Sequence, residues 1–304
     1  MKKSAVLIFL VWMLFLLAGC VHDPATPAPV ISAPPTVTSG EPMPENRIVR
    51  LCAAEAFADS GLPALLKAQF EAQSPYRLEI LPNVNNTAVS VAAAGKAELL
   101  VVQQNAAVSQ FLSAGYGTAY PFVRDSYVLL GPADDPANVQ NTENISEALV
   151  SIAKTGSSFV SRYDDSDTNK AETALWKKAG IVIGNGRKWY IPSRLGMTAA
   201  LHLADTEGAY ILSEKTAYLQ EKESLSLDLY YDAQPELIHS YVLVVVSADN
   251  FEALNSDGTA AFTRWLMQDS TKELIRSYGT DDYGCPIFET EDYQISEYGG
   301  QENG

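Results

Sequence analysis

The stretch SRYDDSDTNK, which runs from Ser161 to Lys170, combines one arginine with several carboxylates and hydroxyls. These residue types are suited to three kinds of site. An arginine with hydroxyl donors can bind an oxyanion, closely spaced carboxylates can bind calcium, and short polar side chains can cap a helix. The spacing of the residues decides how well each interpretation fits.

Calcium fits the spacing least well of the three. Asp165 to Asn169 match the D-x-D-x-N start of an EF-hand loop. The glycine required next is Lys170, and the bidentate glutamate required at the twelfth position is Trp176. The histidines of the chain show no metal-type spacing either: His22, His202 and His239. No metal site is therefore predicted.

The helix-cap and anion-site interpretations both fit and are compatible with each other. The stretch lies between a predicted strand and a predicted helix, and Glu172 follows Asn169 by three residues as in a capping box. Capping does not explain Arg162, which stands at the end of the strand. The guanidinium, the hydroxyls of Ser166 and Thr168 and the helix N-terminus together offer donors for an oxyanion.

No enzyme active site is predicted. Ser151 and Lys154 fit the S-x-x-K pattern, and Lys154 to Gly156 fit K-T-G. In penicillin-recognising enzymes these motifs lie far apart in the sequence, whereas here they share one lysine. The chain contains no G-x-S-x-G motif. We therefore expect no catalytic residue and no cofactor.

The elements that would position this stretch alternate between strands and helices. The segments RIVRLCA, YRLEILP and AELLVV are predicted strands, and the helical segments between them indicate a parallel α/β sheet. The second half repeats this pattern, so two α/β lobes of about 110 residues each fit better than one. Two apolar runs, Ser126–Gly131 and Ser240–Ala248, are the predicted crossings between lobes, with a ligand in the cleft.

The N-terminus predicts export and anchoring by a lipid. Two lysines precede an apolar run that is shorter than the ~20 residues of a good membrane span and fits a signal peptide over residues 1–19. The run ends in Leu-Ala-Gly-Cys20, which resembles a bacterial lipobox with a lipidated cysteine; an uncleaved anchor helix is the alternative. Residues 20–46 are proline-rich and predict an extended tether. The rest of the chain is expected outside the cytoplasm.

The formal net charge of −16 argues against nucleic acid and anionic lipid surfaces as partners. Residues 289–304 contain five carboxylates and no basic residue, and are predicted to form a disordered acidic tail. With Cys20 assigned to lipid, Cys52 and Cys285 remain. The sequence leaves open whether they form a disulfide or stay separate thiols.

Several segments together resemble the tungstate-binding proteins of ABC importers. The segment FVSRYDDSDTNKAETALWKKAG is similar to the F-V-S-R-G-D-D-S-G-T…E…L-W…A-G segment of that family. DSGLPALL, GKAELLVVQ, RDSYVLLGPADDPA and GAYILSEKTAYL are similar to further family segments in the same order. Ordered similarity across most of the globular part is more specific than any single motif.

The resemblance implies a type II solute-binding fold, in which two doubly wound α/β lobes are joined by two hinge strands. We expect the domain over residues 47–288, with one lobe over about 47–124 and 241–288 and the other over about 125–240. The resemblance also implies a tungstate-like oxyanion as ligand and an ABC permease as partner. We expect the binding protein to be a monomer.

Some positions depart from the family pattern. The T-T-T-S motif of the first lobe falls on Ala53 to Ala56, where Glu55 replaces a hydroxyl. Tyr163 and Arg194 stand where the family has glycines, whereas Gly196 is retained. The candidate ligand-binding residues are Ser161, Arg162, Ser166, Thr168, Ala54, Glu55, Arg194 and Gly196.

These departures leave the ligand open. One option is an oxyanion, against which a carboxylate in a dry cleft acts unfavourably. A zwitterion whose cationic group faces Glu55 and whose anionic group faces Arg162 is the other. Glu55 and Arg194 are also a candidate ion pair across a closed cleft. The alternative function is a surface lipoprotein with a degenerate cleft that acts in sensing or protein interaction.

Overall fold

Strands and helices alternate along the computed structural model, which describes residues 45–82, 87–184 and 186–290. The strands are β1 Ile48–Ala53, β2 Arg77–Pro82, β3 Leu99–Gln103, β4 Gly117–Pro132, β5 Phe159–Ser161, β6 Tyr190–Pro192, β7 Tyr210–Glu214, β8 Leu227–Tyr231, β9 Ile238–Val246 and β10 Glu289–Thr290. The α-helices are α1 Glu55–Asp59, α2 Leu62–Glu71, α3 Ala88–Ala93, α4 Ala106–Ser113, α5 Ile145–Thr155, α6 Asp167–Lys178, α7 Met197–Glu207, α8 Lys215–Glu221, α9 Ser256–Leu266, α10 Asp269–Ser277 and α11 Thr280–Tyr283.

The first lobe is built on β1, which pairs in parallel with β2 and β3 as the β-α-β-α-β pattern predicts. Strand β9 then lies antiparallel between β3 and the first part of β4. Apolar side chains cover both faces of this sheet because helices pack on each side. One of the cores contains Phe57, Phe70 and Phe262, all nearly or fully buried.

The second lobe is built on the last part of β4, which pairs antiparallel with β7 and with β8. Strand β5 lies parallel to β6 and β7. The core of the second lobe surrounds Phe159, Trp176 and Tyr210, which are buried between the sheet and helices α5 and α6. This arrangement places the carboxyl ends of β5 and β7 and the N-terminus of α6 on one side of the lobe.

Two strands connect the lobes, as predicted. Val123 on β4 belongs to the first core and Tyr127, four residues later, to the second. In the reverse direction, Leu237 belongs to the second core and Tyr241 on β9 to the first. The chain therefore has the α/β fold with two lobes and two hinge strands that the sequence predicts.

Some boundaries differ from the predicted ones. The segment DSGLPALL predicts Asp59 or Ser60 as the N-cap of α2. The N-cap is instead Gly61, whose φ of 85° suits glycine, and the helix begins at Leu62. The segment NKAETALWKKAG predicts a helix from Asn169, but α6 begins two residues earlier, at Asp167, with Ser166 as N-cap. Helices α1 and α4 were not predicted. Both are short and consist largely of small residues, so their apolar periodicity is weak.

The first two residues of the predicted acidic tail are ordered, because Glu289 and Thr290 form β10 against β4 and Glu289 contacts Arg124 at 3.0 Å. The signal peptide, Cys20 and most of the tether lie outside the described residues, as do residues 291–304. Cys52 and Cys285 are separate free thiols, and Cys52 is buried. Among the described helices, none is both long and apolar enough to cross a membrane.

Candidate functional site

A cavity of about 490 Å³ lies between the two lobes. The first lobe contributes residues of α1 and the turn after it, and the second contributes the loops after β5, β6 and β7. Helices α6 and α7 both begin at this cavity, so the N-terminal ends of two helices lie beside it. The lining residues are Glu55, Ala56, Ala58, Asp59, Ser60, Arg162, Asp164, Asp165, Ser166, Asp167, Thr168, Arg194, Leu195, Gly196, Met197, Thr198, Glu214, Thr216, Ala217 and Gln220.

The guanidinium of Arg162 lies at the centre of the charged groups in this cavity. Its side chain is only 5% exposed, and its Nε donates to Asp164 Oδ2 at 2.7 Å. Its Nη2 lies 2.6 Å from the same carboxylate and 3.4 Å from Oε1 of Glu55 on the opposite lobe. Burial acts to raise the pKa of Asp164, but hydrogen bonds from Ser166 and Arg162 outweigh it and the pKa is lowered. Two carboxylates of the protein therefore already contact Arg162.

The three predicted hydroxyls have different partners. The Ser166 hydroxyl accepts the N–H of Asn169 at 3.2 Å and so caps α6. Thr168 lines the cavity and donates to the buried carboxylate of Glu214. Ser161 lies below the cavity, where it donates to Glu172 at 2.6 Å, so it is not positioned to contact a ligand.

The two candidate residues of the first lobe differ in position. Glu55 begins α1, and its half-exposed side chain faces the cavity. Ala54 is buried and its N–H donates to Val101 O at 2.8 Å, so it does not line the cavity. The predicted Glu55–Arg194 pair is wrong for this conformation. Glu55 contacts Arg162 instead, and the guanidinium of Arg194 lies over the Tyr163 ring at 5.3 Å from its centroid.

Arg194 and Gly196 both line the cavity, and Gly196 is the N-cap of α7. Arg194 has φ of 56° and Tyr163 has φ of 48°, a backbone conformation that favours glycine. The two non-glycine side chains are thus held in an unfavourable backbone conformation beside the cleft. Observed strain of this kind is a reason to look for function.

Sequence reasoning missed several acidic residues of the cavity. Burial, together with the charge of Glu55, raises the pKa of Asp59, and burial raises the pKa of Glu214. Glu214 carried a signal, because a carboxylate at the end of an apolar strand must be explained. Asp59 carried none, since its position depends on the unpredicted helix α1. Within the described residues, no three acidic, histidine or cysteine side chains converge closely enough to hold a metal ion.

Two lobes that share two strands and enclose a polar cleft define a two-lobed solute-binding protein. A model of the PBP superfamily domain matches residues 44–270. The tungstate-binding protein TupA of Peptoclostridium acidaminophilum is 30% identical over 292 residues, which cover 95% of this chain and 98% of that protein. The chain therefore belongs to the tungstate-binding protein family.

Solved structures have the same fold. The tungstate-binding protein TupA of Desulfovibrio alaskensis gives a TM-score of 0.70 at 24% identity, over 80% of this chain and 98% of that one. A structure described as the tungstate ABC transporter from Geobacter sulfurreducens gives a TM-score of 0.67 at 24% identity. The match covers 76% of this chain and 98% of that one. At this level of identity the likeness concerns the fold.

Proposed function

We propose that this chain is the lipid-anchored, extracytoplasmic solute-binding protein of an ABC importer. It binds a small anionic or zwitterionic solute in the cleft between the lobes and passes it to a permease. The observation that carries the proposal is the buried guanidinium of Arg162, which faces a cavity lined by both lobes and by two helix N-termini. Membership of the tungstate-binding protein family supports it.

Binding would act through closure of the lobes about β4 and β9. The Glu55–Arg162 contact joins the lobes in the present conformation. A solute that contacts both lobes binds the closed form better than the open form, and so shifts the population towards it. The permease would recognise the closed form. No step of this cycle requires a catalytic residue or a cofactor, and it can be carried out by a monomer.

A thermal-shift screen of the full chain in detergent tests the proposal. The panel contains tungstate, molybdate, sulfate, phosphate and the common amino acids. A solute that binds only the folded state stabilises it by about 2.7 kcal/mol at a hundredfold excess over its Kd. We expect at least one solute to raise the Tm, and Arg162→Ala to abolish the rise.

Lys178→Ala is the control variant, because Lys178 pairs with Glu236 on the surface of the second lobe, away from the cavity. It should bind like the wild type. If no solute in the panel raises the Tm, the proposed binding role is wrong. If Arg162→Ala binds as well as the wild type, Arg162 is not needed for binding.

The lipid anchor rests on the sequence Leu-Ala-Gly-Cys20 after an apolar run. Expression in a bacterial host with an alkyne-labelled fatty acid should label the wild-type chain, and Cys20→Ala should be unlabelled and released from the membrane. Equal labelling of both chains would refute lipidation at this cysteine.

One observation favours a second candidate function, a surface lipoprotein that acts in sensing or protein interaction. Three groups that could hold an anion are each engaged by a carboxylate of the protein: Arg162, Thr168 and Ser161. Such a cleft could have lost solute binding. Co-purification of the chain with an ABC permease supports transport, and co-purification with a sensor protein supports the alternative.

A further inference from the structure

The described part of the cleft contains more acidic than basic side chains. Six carboxylate side chains line it and only two guanidinium groups face them. One of these, on Arg162, is already in contact with Asp164 and Glu55. A dianion placed here would meet more carboxylates than free cationic groups, and like charges at short range repel strongly where water is excluded.

The other guanidinium, on Arg194, has a different environment. Within the described residues no carboxylate lies within ion-pair distance of it, and it stacks over the ring of Tyr163 at 5.3 Å. A stacked guanidinium keeps its edge N–H groups available for two parallel hydrogen bonds to a planar carboxylate. Arg194 is therefore the group of the cleft best prepared to receive a ligand carboxylate.

Glu55 and Asp59 form the complementary group on the opposite lobe. They are four residues apart on α1, so both lie on one face of the helix, and both line the cavity. The carboxylate of Asp59 has no ion pair within the described residues. Burial and then the charge of Glu55 raise its pKa, against a smaller lowering by the charge of Arg162. Adjacent like charges are unfavourable unless a cation lies between them.

We propose that the solute is a zwitterion of the α-amino-acid type, whose ammonium group lies between Glu55 and Asp59 and whose carboxylate pairs with Arg194. This inference rests on the proposed function, because it names the ligand class of the same cleft. It makes Glu55, Asp59 and Arg194 the specificity-determining residues. It also assigns Arg162 a structural part, in which its charge is balanced by Asp164 and Glu55.

The test uses the full chain in detergent and isothermal titration calorimetry. The common L-amino acids and tungstate are first compared by thermal shift. The best amino acid is then titrated beside its two truncated analogues, the carboxylic acid without the amine and the amine without the carboxylate. We expect each analogue to bind at least 100-fold more weakly than the amino acid, since each leaves one charged group of the cleft unpaired.

Variants of Glu55 and Asp59 test the position of the ammonium group of the ligand. Glu55→Gln and Asp59→Asn should each weaken binding of the amino acid at least tenfold without weakening binding of the analogue that lacks the amine. Glu273→Gln is the matched control, because Glu273 is exposed and pairs with Arg276 outside the cleft. It should bind like the wild type. The Tm of each variant without ligand shows that it is folded.

The outcomes separate this inference from the proposed function. If tungstate binds the wild type more tightly than every amino acid, the zwitterion is wrong and the solute-binding role stands. If no solute binds, both are wrong. If Glu55→Gln and Asp59→Asn bind the amino acid as tightly as the wild type, the placement of the ammonium is overturned.

Discussion

At Arg194, the side chain suits a role in the cleft, whereas the backbone conformation favours glycine. Its guanidinium lines the cleft, whereas its backbone, with φ of 56°, is in the left-handed region where glycine costs least. Tyr163, against which it stacks, has φ of 48°. An unfavourable backbone conformation persists only where the surrounding structure enforces it. Stability and ligand recognition should therefore be separable at Arg194 by choice of substitution.

Arg194→Gly and Arg194→Ala separate the side chain from the backbone. Both remove the guanidinium, so both should weaken binding of an amino acid at least tenfold. Only glycine relieves the backbone, so Arg194→Gly should raise the free energy of unfolding by about 1 kcal/mol over Arg194→Ala. Urea unfolding of the two variants measures the difference. Equal stability of the two would show that the left-handed conformation carries no cost here.

Glu172 is a buried carboxylate below the cleft, and it predicts a pH dependence of stability. It accepts hydrogen bonds from Ser161, Tyr190 and Trp176, yet burial raises its pKa from 4.5 to about 7. Below pH 4.5 the group is protonated in both the folded and the unfolded chain. Its contribution to stability is then fully present, and it is lost as pH rises through the folded-state pKa.

Between pH 5 and pH 8 the wild type should thus lose stability, by up to about 3 kcal/mol from this group. Burial also raises the pKa of Asp125 to about 7, so this group adds to the loss of stability. Glu172→Gln should be less stable at pH 5, because an amide accepts fewer hydrogen bonds, but should lose less between pH 5 and pH 8. Urea unfolding at both pH values checks this, with Glu273→Gln as control. A parallel decline in wild type and Glu172→Gln would contradict the prediction.

Strand β4 forms one of the two connections between the lobes and is mostly buried in its second half. Near the crossing, the ring of Tyr127 stacks on that of His239, which precedes Tyr241 on the other hinge strand, at 4.2 Å between centroids. Further along, Gly131 lies directly against the ring of Tyr210. The hydroxyl of Tyr210 donates to Asp135 at 2.6 Å, which fixes the ring. The strand therefore has no room for a side chain at Gly131.

Gly131→Ala should destabilise the protein, because a β-carbon there would overlap the ring of Tyr210 and the ring cannot move without losing its hydrogen bond. Overpacking of this kind costs about 1–3 kcal/mol. Gly184→Ala is the control, since a β-carbon at Gly184 meets no atom within 4 Å. Urea unfolding of both variants measures the effect. A Gly131→Ala variant as stable as the control would show that β4 can shift away from β7.

The strands were largely predictable because each is a short apolar run between turn residues, as in LLVVQ of β3 and the core half of β9. The short helix α1 was not, because only Phe57 anchors it and its formation depends on the core that receives that ring. The arginine and the two hydroxyls at the cleft were predictable from one local stretch. The partner of Glu55 was not, since it lies 107 residues away and is set by the closure of the two lobes.

Polar and apolar contacts join the lobes across the cleft within the described residues. Arg162 meets Glu55 at 3.4 Å, and Gln220 of α8 donates to the backbone oxygen of Asp59 at 3.1 Å. Leu219 of α8 packs against cores of both lobes. The polar contacts are weak, since Glu55 is half exposed. Small changes at these contacts should therefore alter the population of the open form.

The variant Glu55→Ala/Gln220→Ala should therefore open the ligand-free protein. An exposed ion pair contributes at most about 1 kcal/mol and a neutral hydrogen bond about 1 kcal/mol, so the open form should gain roughly tenfold in population. Small-angle X-ray scattering should show a larger radius of gyration than in the wild type. Lys178→Ala, which breaks a contact within the second lobe, should leave the radius unchanged. If the double variant has the wild-type radius, the apolar packing of Leu219 holds the lobes together, and closure does not depend on the charged groups that would recognise the solute.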